Sequence, residues 1–255
     1  MITEFNINSN LGKDTKLLQI KEYIDVNKIK NKNYKVLDVG GGVRNKADIQ
    51  IDALFDLNDD VMNDENKGIR VIKKDFCEKD AWQTIDDKSF DFTICTHTLE
   101  DVRDPYFVIQ QIIRVSKEGY IAVPHKLREL DFSTMRSVLG YAHHRWIFGM
   151  KNGELNIVSK SNLLDYLIKT KKIKIPKNSK KYFFINLVRY FYFLIKNEKK
   201  AFTYREIKES IMKYEISFKF KNDFKFKFLN QDCFLPPHTE YVEAIEELLS
   251  YEDNI

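Results

Sequence analysis

The stretch YKVLDVGGGVRNKADIQID, residues 34–52, decides the fold. It holds an apolar run with Asp38 near its end, three consecutive glycines, and a second apolar run that ends at Asp52. Glycines directly after a strand let a ligand approach the backbone, because they carry no Cβ. A dinucleotide-binding fingerprint would read G-x-G-x-x-G, but Asn45 stands at the position of its third glycine. The stretch therefore predicts two strands joined by a ligand-binding loop of a different kind.

Further short apolar runs follow this stretch. They are IRVIKKD (69–75), FDFTICT (90–96) and YIAVP (120–124), and the helical pattern DPYFVIQQIIRVSKEG (104–119) precedes the last of them. Short apolar runs that alternate with helices are typical of βαβ units in a parallel sheet. The handedness of such units favours a doubly wound sheet, with ligands beyond the carboxyl ends of the strands. The predicted fold class is therefore α/β, a Rossmann-like, doubly wound, mostly parallel sheet.

The pattern changes after Pro124. Asn152-Gly153 lies between two strand-like runs and predicts a hairpin. A second predicted hairpin, residues 215–229, turns around Asn222-Asp223, and we expect it to supply the antiparallel sixth and seventh strands of the central sheet. The predicted organisation is a ligand-binding core (1–125), an inserted hairpin and helical substrate cap (126–210), and a C-terminal hairpin and helix that complete the core sheet (211–255).

Composition limits the classes of partner. The formal net charge of the 255-residue chain is only +4, so we expect no nucleic-acid partner. The three cysteines are widely spaced and form no C-x-x-C pair, so we expect a reducing, cytoplasmic location and no metal site. The N-terminal residues also lack the apolar region of a signal peptide. The apolar segment 182–195 is too short to span a bilayer; a buried helix, a peripheral membrane helix and a dimer contact remain open for it.

The motif Asp38-x-Gly40-x-Gly42 resembles motif I of the class I S-adenosylmethionine (SAM) methyltransferases. The resemblance implies SAM as cofactor and S-adenosylhomocysteine as product. It implies that Gly40, Gly41 and Gly42 pass beneath the methionine portion of SAM, and that Asp38 helps to hold its amino group. The short gap before the second strand departs from the general family, since it leaves little room for a crossover helix.

Further motifs in the same order strengthen this resemblance, which covers residues 34–124. Asp52 matches the acid that grips the ribose hydroxyls, and Asp75 with Phe76 matches the pair that flanks adenine. CTHTLEDVRDPYFVIQQIIRVSKEGYIAVP resembles the segment LEHVxDPxxxLxExxRVxKxGG around the fourth strand, and places Thr96 and His97 near the cofactor. Structural alternatives stay open for each of these residues. They are a tight turn for the glycine run, a loop acid for Asp52, a helix cap for Asp75, a structural acid for Glu100, and an ordinary loop histidine for His97.

The segment YAHHRW, residues 141–146, resembles a His-Arg-Trp element of methyltransferases encoded in capsule or lipopolysaccharide gene clusters. It implies an acceptor site in which Tyr141 takes part, Arg145 clamps an anion and Trp146 forms a platform for a sugar. Histidine is the usual general base near neutral pH; His144 is the first candidate, and His125, His143 and His97 are the alternatives. The alternative is that Trp146 lies in the core and one histidine caps the preceding helix.

These motifs predict a SAM-dependent O-methyltransferase that acts on a small molecule. The expected acceptor is a sugar, a nucleotide-sugar or a phosphate-containing precursor of a bacterial surface glycan, with capsular phosphoramidates in the same class. A base contributes to transfer onto a hydroxyl, whereas an acidic acceptor needs none. The alternative function is a methyltransferase-like binding or scaffold protein that has lost catalysis. An RNA or protein methyltransferase is less favoured, because no amide-methylation motif or RNA-binding module is present.

Overall fold

A computed structural model of the chain describes residues 1–8, 15–40, 47–51, 69–129, 140–161, 164, 167, 215–230, 238–251 and 253. The chain divides into two compact units. The first comprises Met1–Asn6, Lys13–Val123 and Ser217–Phe224, and the second comprises Ile7–Gly12, Pro124–Ile216 and Lys225–Ile255.

Strands and helices alternate along the first half of the described chain, and strands dominate the second half. In chain order, the elements are β1 Ile2–Asn8, α1 Thr15–Lys30, β2 Val36–Val39, β3 Ile49–Ile51, β4 Arg70–Ile72, a short 3₁₀ helix Lys79–Ala81, β5 Phe90–Thr96, α2 Pro105–Val115, β6 Ser116–Pro124, α3 Lys126–Glu129, β7 Trp146–Lys151, β8 Glu154–Ser159, β9 Glu215–Lys221, β10 Lys225–Phe228 and α4 His238–Ser250.

The first unit is built on a seven-stranded sheet with the order β1-β9-β6-β5-β2-β3-β4. Strands β2 to β6 pair in parallel with their neighbours in this order. Strands β2, β3 and β4 lie next to one another in chain order. The chain then crosses back, so that β5 lies on the other side of β2 and β6 lies beyond β5. A topological switch point therefore lies between β2 and β5. The predicted α/β, doubly wound, mostly parallel fold is confirmed.

Apolar sequence explains the central strands. All four residues of β2 are buried, as is most of β5 and β6, which fits strands covered on both faces. Ile20 and Ile24 of α1 pack in one cluster with Phe92, Ile94 and other residues of this sheet. Burial of such side chains contributes about 1.5–3 kcal/mol each to the free energy of folding.

The connection between β2 and β3, residues 40–48, is short, as the sequence indicates. Its described end is fixed by Asp48, whose carboxylate accepts the Val36 N–H at 2.8 Å. At the other end the Gly40 N–H donates to the Ile51 carbonyl at 2.9 Å. These bonds hold the ends of β2 and β3 side by side.

The second unit contains a three-stranded sheet with the order β10-β8-β7. β7 and β8 form the predicted antiparallel hairpin, and its central residues Asn152 and Gly153 have φ of 52° and 71°. Positive φ at both positions is what a tight hairpin turn requires. Helix α4, which the sequence predicts, buries Tyr241 and Leu248 in a cluster with Ile147 and other residues of this unit.

The predicted hairpin 215–229 is wrong, because its two strands belong to different sheets. β9 joins the seven-stranded sheet, whereas β10 pairs in parallel with β8 in the three-stranded sheet. The turn between them has Asn222 at φ 64°, and Phe224 is buried with its ring centroid 5.1 Å from those of both Phe218 and Phe220. Lys221 and Asp223 form an isolated antiparallel bridge at this turn. β10 and α4 therefore lie in the second unit and do not complete the core sheet.

Strand β1 forms the edge of the central sheet next to β9. The sequence analysis did not predict this strand. The Lys221 N–H donates to the Met1 carbonyl at 2.9 Å, and the Thr3 hydroxyl donates to the Lys219 carbonyl at 3.5 Å. These contacts show that β1 and β9 run in opposite directions.

Among the described residues, no helix is both long and apolar enough to cross a membrane. The segment 182–195 lies outside the described residues, so its proposed membrane or dimer contact stays a prediction.

Candidate functional site at the carboxyl ends of β2 and β5

The site lies at the switch point of the first unit. Gly40 follows β2, and His97 and Thr98 follow β5, which is the adjacent parallel strand. In open α/β sheets, ligands bind beyond the carboxyl ends of the strands at such a point. Gly41, Gly42 and Asp52, three of the predicted cofactor residues, lie outside the described residues.

Gly40 has two structural reasons to be glycine. Its φ is +71°, a conformation that other residues rarely adopt. A Cβ on Gly40 would also stand 2.5 Å from Cγ2 and 2.7 Å from Oγ1 of Thr98. The Thr98 side chain is held in place, since its hydroxyl lies 3.1 Å from the carbonyls of both Val39 and Thr96. The end of β2 is therefore bare backbone pressed against the loop after β5.

Two buried carboxylates lie close to this edge. Asp38 is buried in β2, and Glu100 is buried in the loop after β5. Burial, with the negative charges of Asp38 and Glu100, raises the pKa of the Cys95 thiol well above its ordinary value. The negative charges of both acids are thus felt at Cys95, an interior residue of β5. Thr96, half-buried, ends this strand.

His97 is the exposed member of the site. Its φ is 51°, and its N–H donates to the Ala122 carbonyl at 2.9 Å, which ties the residue to β6. The side chain is 42% exposed, and its Nδ1 lies 3.3 Å from Oε1 of Glu100, whose own side chain is 2% exposed. Among the residues that the structure describes, Oε2 of Glu100 has no hydrogen-bond partner. Glu100 is a residue whose role the sequence left open.

The predicted adenine pair has local contacts of its own. Asp75 Oδ1 accepts the Cys77 N–H at 2.8 Å, and Oδ2 lies 3.4 Å from the Arg103 guanidinium. Phe76 is buried, and its carbonyl accepts the indole N–H of Trp82 at 2.8 Å. Asp75 therefore forms a local turn with Cys77, whereas the nearby 3₁₀ helix has Glu78 at its N-cap, so Asp75 is not the predicted helix cap. Its contact with adenine stays a prediction.

A cluster of three charged side chains lies in the second unit. Glu129, at the end of α3, is fully buried; its Oε1 lies 2.5 Å from Nδ1 of His144, and its Oε2 lies 2.6 Å from Nζ of Lys160. The side chains of His144 and Lys160 are 6% and 9% exposed. Burial by itself raises the pKa of Glu129, but the hydrogen bond from His144 and the charge of Lys160 outweigh it, so the pKa falls below its ordinary value.

The loop before His144 packs closely against the cluster of Glu129, His144 and Lys160. Gly140 has φ +56°, and a Cβ there would stand 2.6 Å from Glu129 Oε2. The ring of Tyr141 stacks on the His144 ring at 4.7 Å, and its hydroxyl accepts a hydrogen bond from Arg128 at 3.0 Å. The sequence analysis named His144 but missed Glu129 and Lys160, because no sequence pattern links residues so far apart.

The other predicted acceptor residues differ in exposure. His143 and Arg145 are exposed, and the Arg145 carbonyl accepts the Lys160 N–H at 2.7 Å. Trp146 is only 4% exposed and packs edge-to-face on Phe228, with ring centroids 5.3 Å apart. The prediction of Trp146 as a sugar platform is wrong for this reason, since its faces lie in the core of the second unit.

His125, another predicted base, is part of a second buried ion pair. Its Nε2 lies 2.6 Å from Oδ2 of Asp253, which also lies 3.2 Å from Nζ of Lys126. Burial raises the pKa of Asp253, but the hydrogen bond from His125 and the positive charges nearby outweigh it and lower the pKa. The other oxygen of Asp253 accepts the Met150 N–H. This pair fastens the C-terminal segment to β7.

Comparison with known proteins gives one family match. The family model of the methionine biosynthesis protein MetW matches residues 21–136, which is less than half of the chain. A search of curated proteins found no match.

Several solved structures resemble part of the chain. They include a SAM-dependent methyltransferase from Thermotoga maritima (16% identity, 44% of this chain and 55% of that chain, TM-score 0.31), the YcgJ protein from Bacillus subtilis (16%, 44% and 52%, TM-score 0.34), and a SAM-dependent methyltransferase from Aquifex aeolicus (20%, 46% and 75%, TM-score 0.29). The chain thus matches about half of the length of the first two. The MetW match, residues 21–136, contains β2, β5 and every described residue of the strand-end site.

Proposed function

We propose that the chain is a SAM-dependent methyltransferase that transfers a methyl group to an oxygen of a small molecule. One observation carries the proposal: at the switch point of the sheet, Gly40 keeps bare backbone against Thr98, within the ordered motifs that resemble those of class I methyltransferases. The glycine is required by the fold itself, and it also leaves this edge without a Cβ that a ligand would meet.

The residues present fit SAM by their chemistry. The ligand carries a sulfonium and an ammonium group, and the buried carboxylates of Asp38 and Glu100 favour positive charge at this edge. Asp52 follows Ile51, whose carbonyl accepts the Gly40 N–H, and a carboxylate there suits two ribose hydroxyls. When bound, SAM would supply an activated methyl group, and the protein would chiefly orient the acceptor oxygen in line with it.

The proposed acceptor is a sugar, nucleotide-sugar or phosphate-containing precursor of a bacterial surface glycan. The YAHHRW segment supports it by resemblance, and the exposed guanidinium of Arg145 suits a phosphate or another anionic group. The loop that carries Arg145 is held in place by the Glu129, His144 and Lys160 cluster.

Two measurements test the proposal. Calorimetric titration with SAM and S-adenosylhomocysteine should give saturable binding to the parental protein and weaker binding to Asp52→Ala, which removes the proposed acceptor of the ribose hydroxyls. Mass detection after incubation with SAM and a panel of nucleotide-sugars and sugar phosphates should show an acceptor that is heavier by one CH₂ group. A folded parental protein that binds neither SAM nor S-adenosylhomocysteine would refute the proposed function.

A further inference from the structure

We infer that Glu100 is a positioning residue for His97, and that His97 Nε2 accepts the proton of the acceptor hydroxyl during methyl transfer. The inference rests on the proposed function and adds the proton-accepting group of the same site. Its basis is the geometry of the loop after β5, in which the His97 ring lies between solvent and a buried carboxylate.

The backbone of His97 supports a role beyond packing. A histidine at φ 51° is an uncommon conformation that costs about 1–3 kcal/mol. The structure maintains it, because the His97 N–H is bonded to the Ala122 carbonyl on the neighbouring strand β6. The result is an exposed imidazole at the carboxyl end of β5, next to the cradle formed by Gly40 and Thr98.

Glu100 supplies the buried carboxylate that lies beside His97. Burying a carboxylate is costly unless it has a partner, and the side chain that the structure places beside Glu100 Oε1 is His97, through Nδ1. The pairing orients the ring with Nδ1 toward the carboxylate and Nε2 away from it. The protonated imidazole is then stabilised by the buried negative charge, as the carboxylate of a catalytic triad stabilises its histidine.

Other charged groups act on this loop. The carboxylate of Asp38, in β2, lies near the same part of β5 as Glu100, since both acids act on Cys95. Cys95 itself, with its raised pKa, stays neutral near pH 7. Glu100 is the carboxylate that lies beside His97, and its negative charge favours a proton on the ring.

Exposure separates His97 from two of the other candidate bases. A base must touch the hydroxyl that it deprotonates. His144 is 6% exposed and already bonded to Glu129, and His125 is buried against Asp253. Both histidines serve packing and loop attachment in the second unit.

The chemical step balances without a further reactant. The acceptor oxygen forms a bond to the methyl carbon as the bond between that carbon and sulfur breaks. The proton of the acceptor hydroxyl moves to His97 Nε2, and the sulfur keeps the bonding electron pair. The proton leaves to solvent from the exposed face of His97 after product release.

The first test is the titration of His97 by NMR. The chain has five histidines, and the signal that disappears in His97→Asn belongs to His97. Asparagine tolerates the left-handed conformation, so this variant keeps the loop. In Glu100→Gln we expect the midpoint of the His97 titration to fall by about one pH unit, the lower end of the effect of a nearby opposite charge.

The second test is the pH dependence of methyl transfer, with the acceptor found in the nucleotide-sugar and sugar-phosphate panel. We expect His97→Asn to lose the acidic limb of kcat, and Glu100→Gln to shift that limb to lower pH with at least a tenfold lower kcat. Affinity for S-adenosylhomocysteine, measured in the same variants, reports whether the fold and the cofactor site persist.

Glu118→Gln is the matched control. Glu118 is likewise a glutamate beside an aromatic side chain, since it accepts a hydrogen bond from the Tyr23 hydroxyl at 2.9 Å, but it lies near the amino end of β6. This variant should keep the parental pH profile and the His97 midpoint.

Two results would overturn the inference. One is a folded Glu100→Gln protein with the parental His97 midpoint and the parental kcat. The other is loss of the acidic limb in His144→Gln while His97→Asn retains it. Failure of the parental protein to bind S-adenosylhomocysteine is a different outcome, since it refutes the proposed function itself.

Discussion

Replacement of Gly40 by alanine should destabilise the first unit through a contact that can be identified. The added Cβ would face Thr98 Cγ2 at 2.5 Å and Oγ1 at 2.7 Å, and the φ of +71° is unfavourable for alanine. Thr98 cannot simply rotate away, because its hydroxyl is engaged with the carbonyls of Val39 and Thr96.

The expected loss of free energy of unfolding in Gly40→Ala has two parts. A left-handed conformation costs an L-residue about 1–2 kcal/mol, and overpacking a well-packed site costs about 1–3 kcal/mol. We expect Gly40→Ala to lower the free energy of unfolding by about 2–5 kcal/mol in total. Gly153→Ala is the matched control, since Gly153 has the same φ of +71° and nothing lies within 4 Å of the added Cβ. It should cost only the first part.

The two tryptophans make the assay specific. Trp82 lies in the first unit and Trp146 in the second, and both are buried. Urea unfolding followed by fluorescence in a Trp146→Phe background therefore reports the unit that contains Gly40, and the Trp82→Phe background reports the unit that contains Gly153.

A double-mutant cycle separates the steric part from the backbone part. Thr98→Ser removes the methyl group that is nearest to the new Cβ and keeps the hydroxyl. It should recover about 0.5–3 kcal/mol in the Gly40→Ala background, the usual size of a coupling between residues in contact. If Gly40→Ala costs no more than Gly153→Ala, and the cycle shows no coupling, the proposed contact with Thr98 does not limit this position.

Three further predictions follow from single side chains. Asp52→Ala should weaken SAM binding by about 1–3 kcal/mol in calorimetry, because ribose hydroxyls lose their acceptor; unchanged affinity would reject Asp52 as the ribose ligand. Glu129→Gln should destabilise the second unit by about 3–5 kcal/mol near pH 7, because Lys160 loses its buried partner. The lowered pKa of Glu129 stabilises the fold above the unfolded carboxyl value of about 4.3, and this stability is lost as pH falls, so urea unfolding of the variant should depend less on pH between 6 and 3 than that of the parental protein. Arg145→Ala should leave S-adenosylhomocysteine affinity unchanged and raise the KM of an anionic acceptor; a parental KM would show that the exposed guanidinium is no clamp.

The strands of the core were predictable because their sequences carry the information locally. The run that ends with Asp38 and Gly40 is apolar, short and followed by glycines, and it forms β2 as expected. The run 90–96 forms β5 with the predicted bounds. Such runs are buried on both faces, so the local pattern and the fold agree.

The partners of the outer strands were not predictable in the same way. Period-two alternation in 215–229 shows that these residues are extended, but it does not show which strand each half pairs with. The chain turns at Asn222 as a hairpin would, yet β10 pairs with β8 in the other sheet. β1 was missed because its sequence, ITEFNIN, alternates weakly: two polar residues, Thr3 and Glu4, separate its first two apolar residues.

Some residues of the candidate site were predictable from the sequence, and others were not. The Gly40 position and the exposed His97 follow from motif order, since both stand at strand ends. The carboxylate partners of the histidines do not, because Glu129 lies 15 residues before His144 and is brought to it by the fold. Trp146 was misassigned because an indole is equally suited to a sugar and to a core, and only burial distinguishes the two.

The pairing of β1 with β9 has a consequence for synthesis of the chain. Thr3 and Lys219 are 216 residues apart, yet they are neighbours in the sheet. At a translation rate of roughly 5–20 residues per second, β1 waits about 10–40 s for its partner to emerge from the ribosome. In the later part of this interval, after β6 has been made and before β9 follows, β6 has no strand on its outer side, although its residues are mostly buried in the finished sheet. An unpaired apolar edge is a template for association between chains, so a nascent or truncated chain that stops before residue 215 should aggregate through β6.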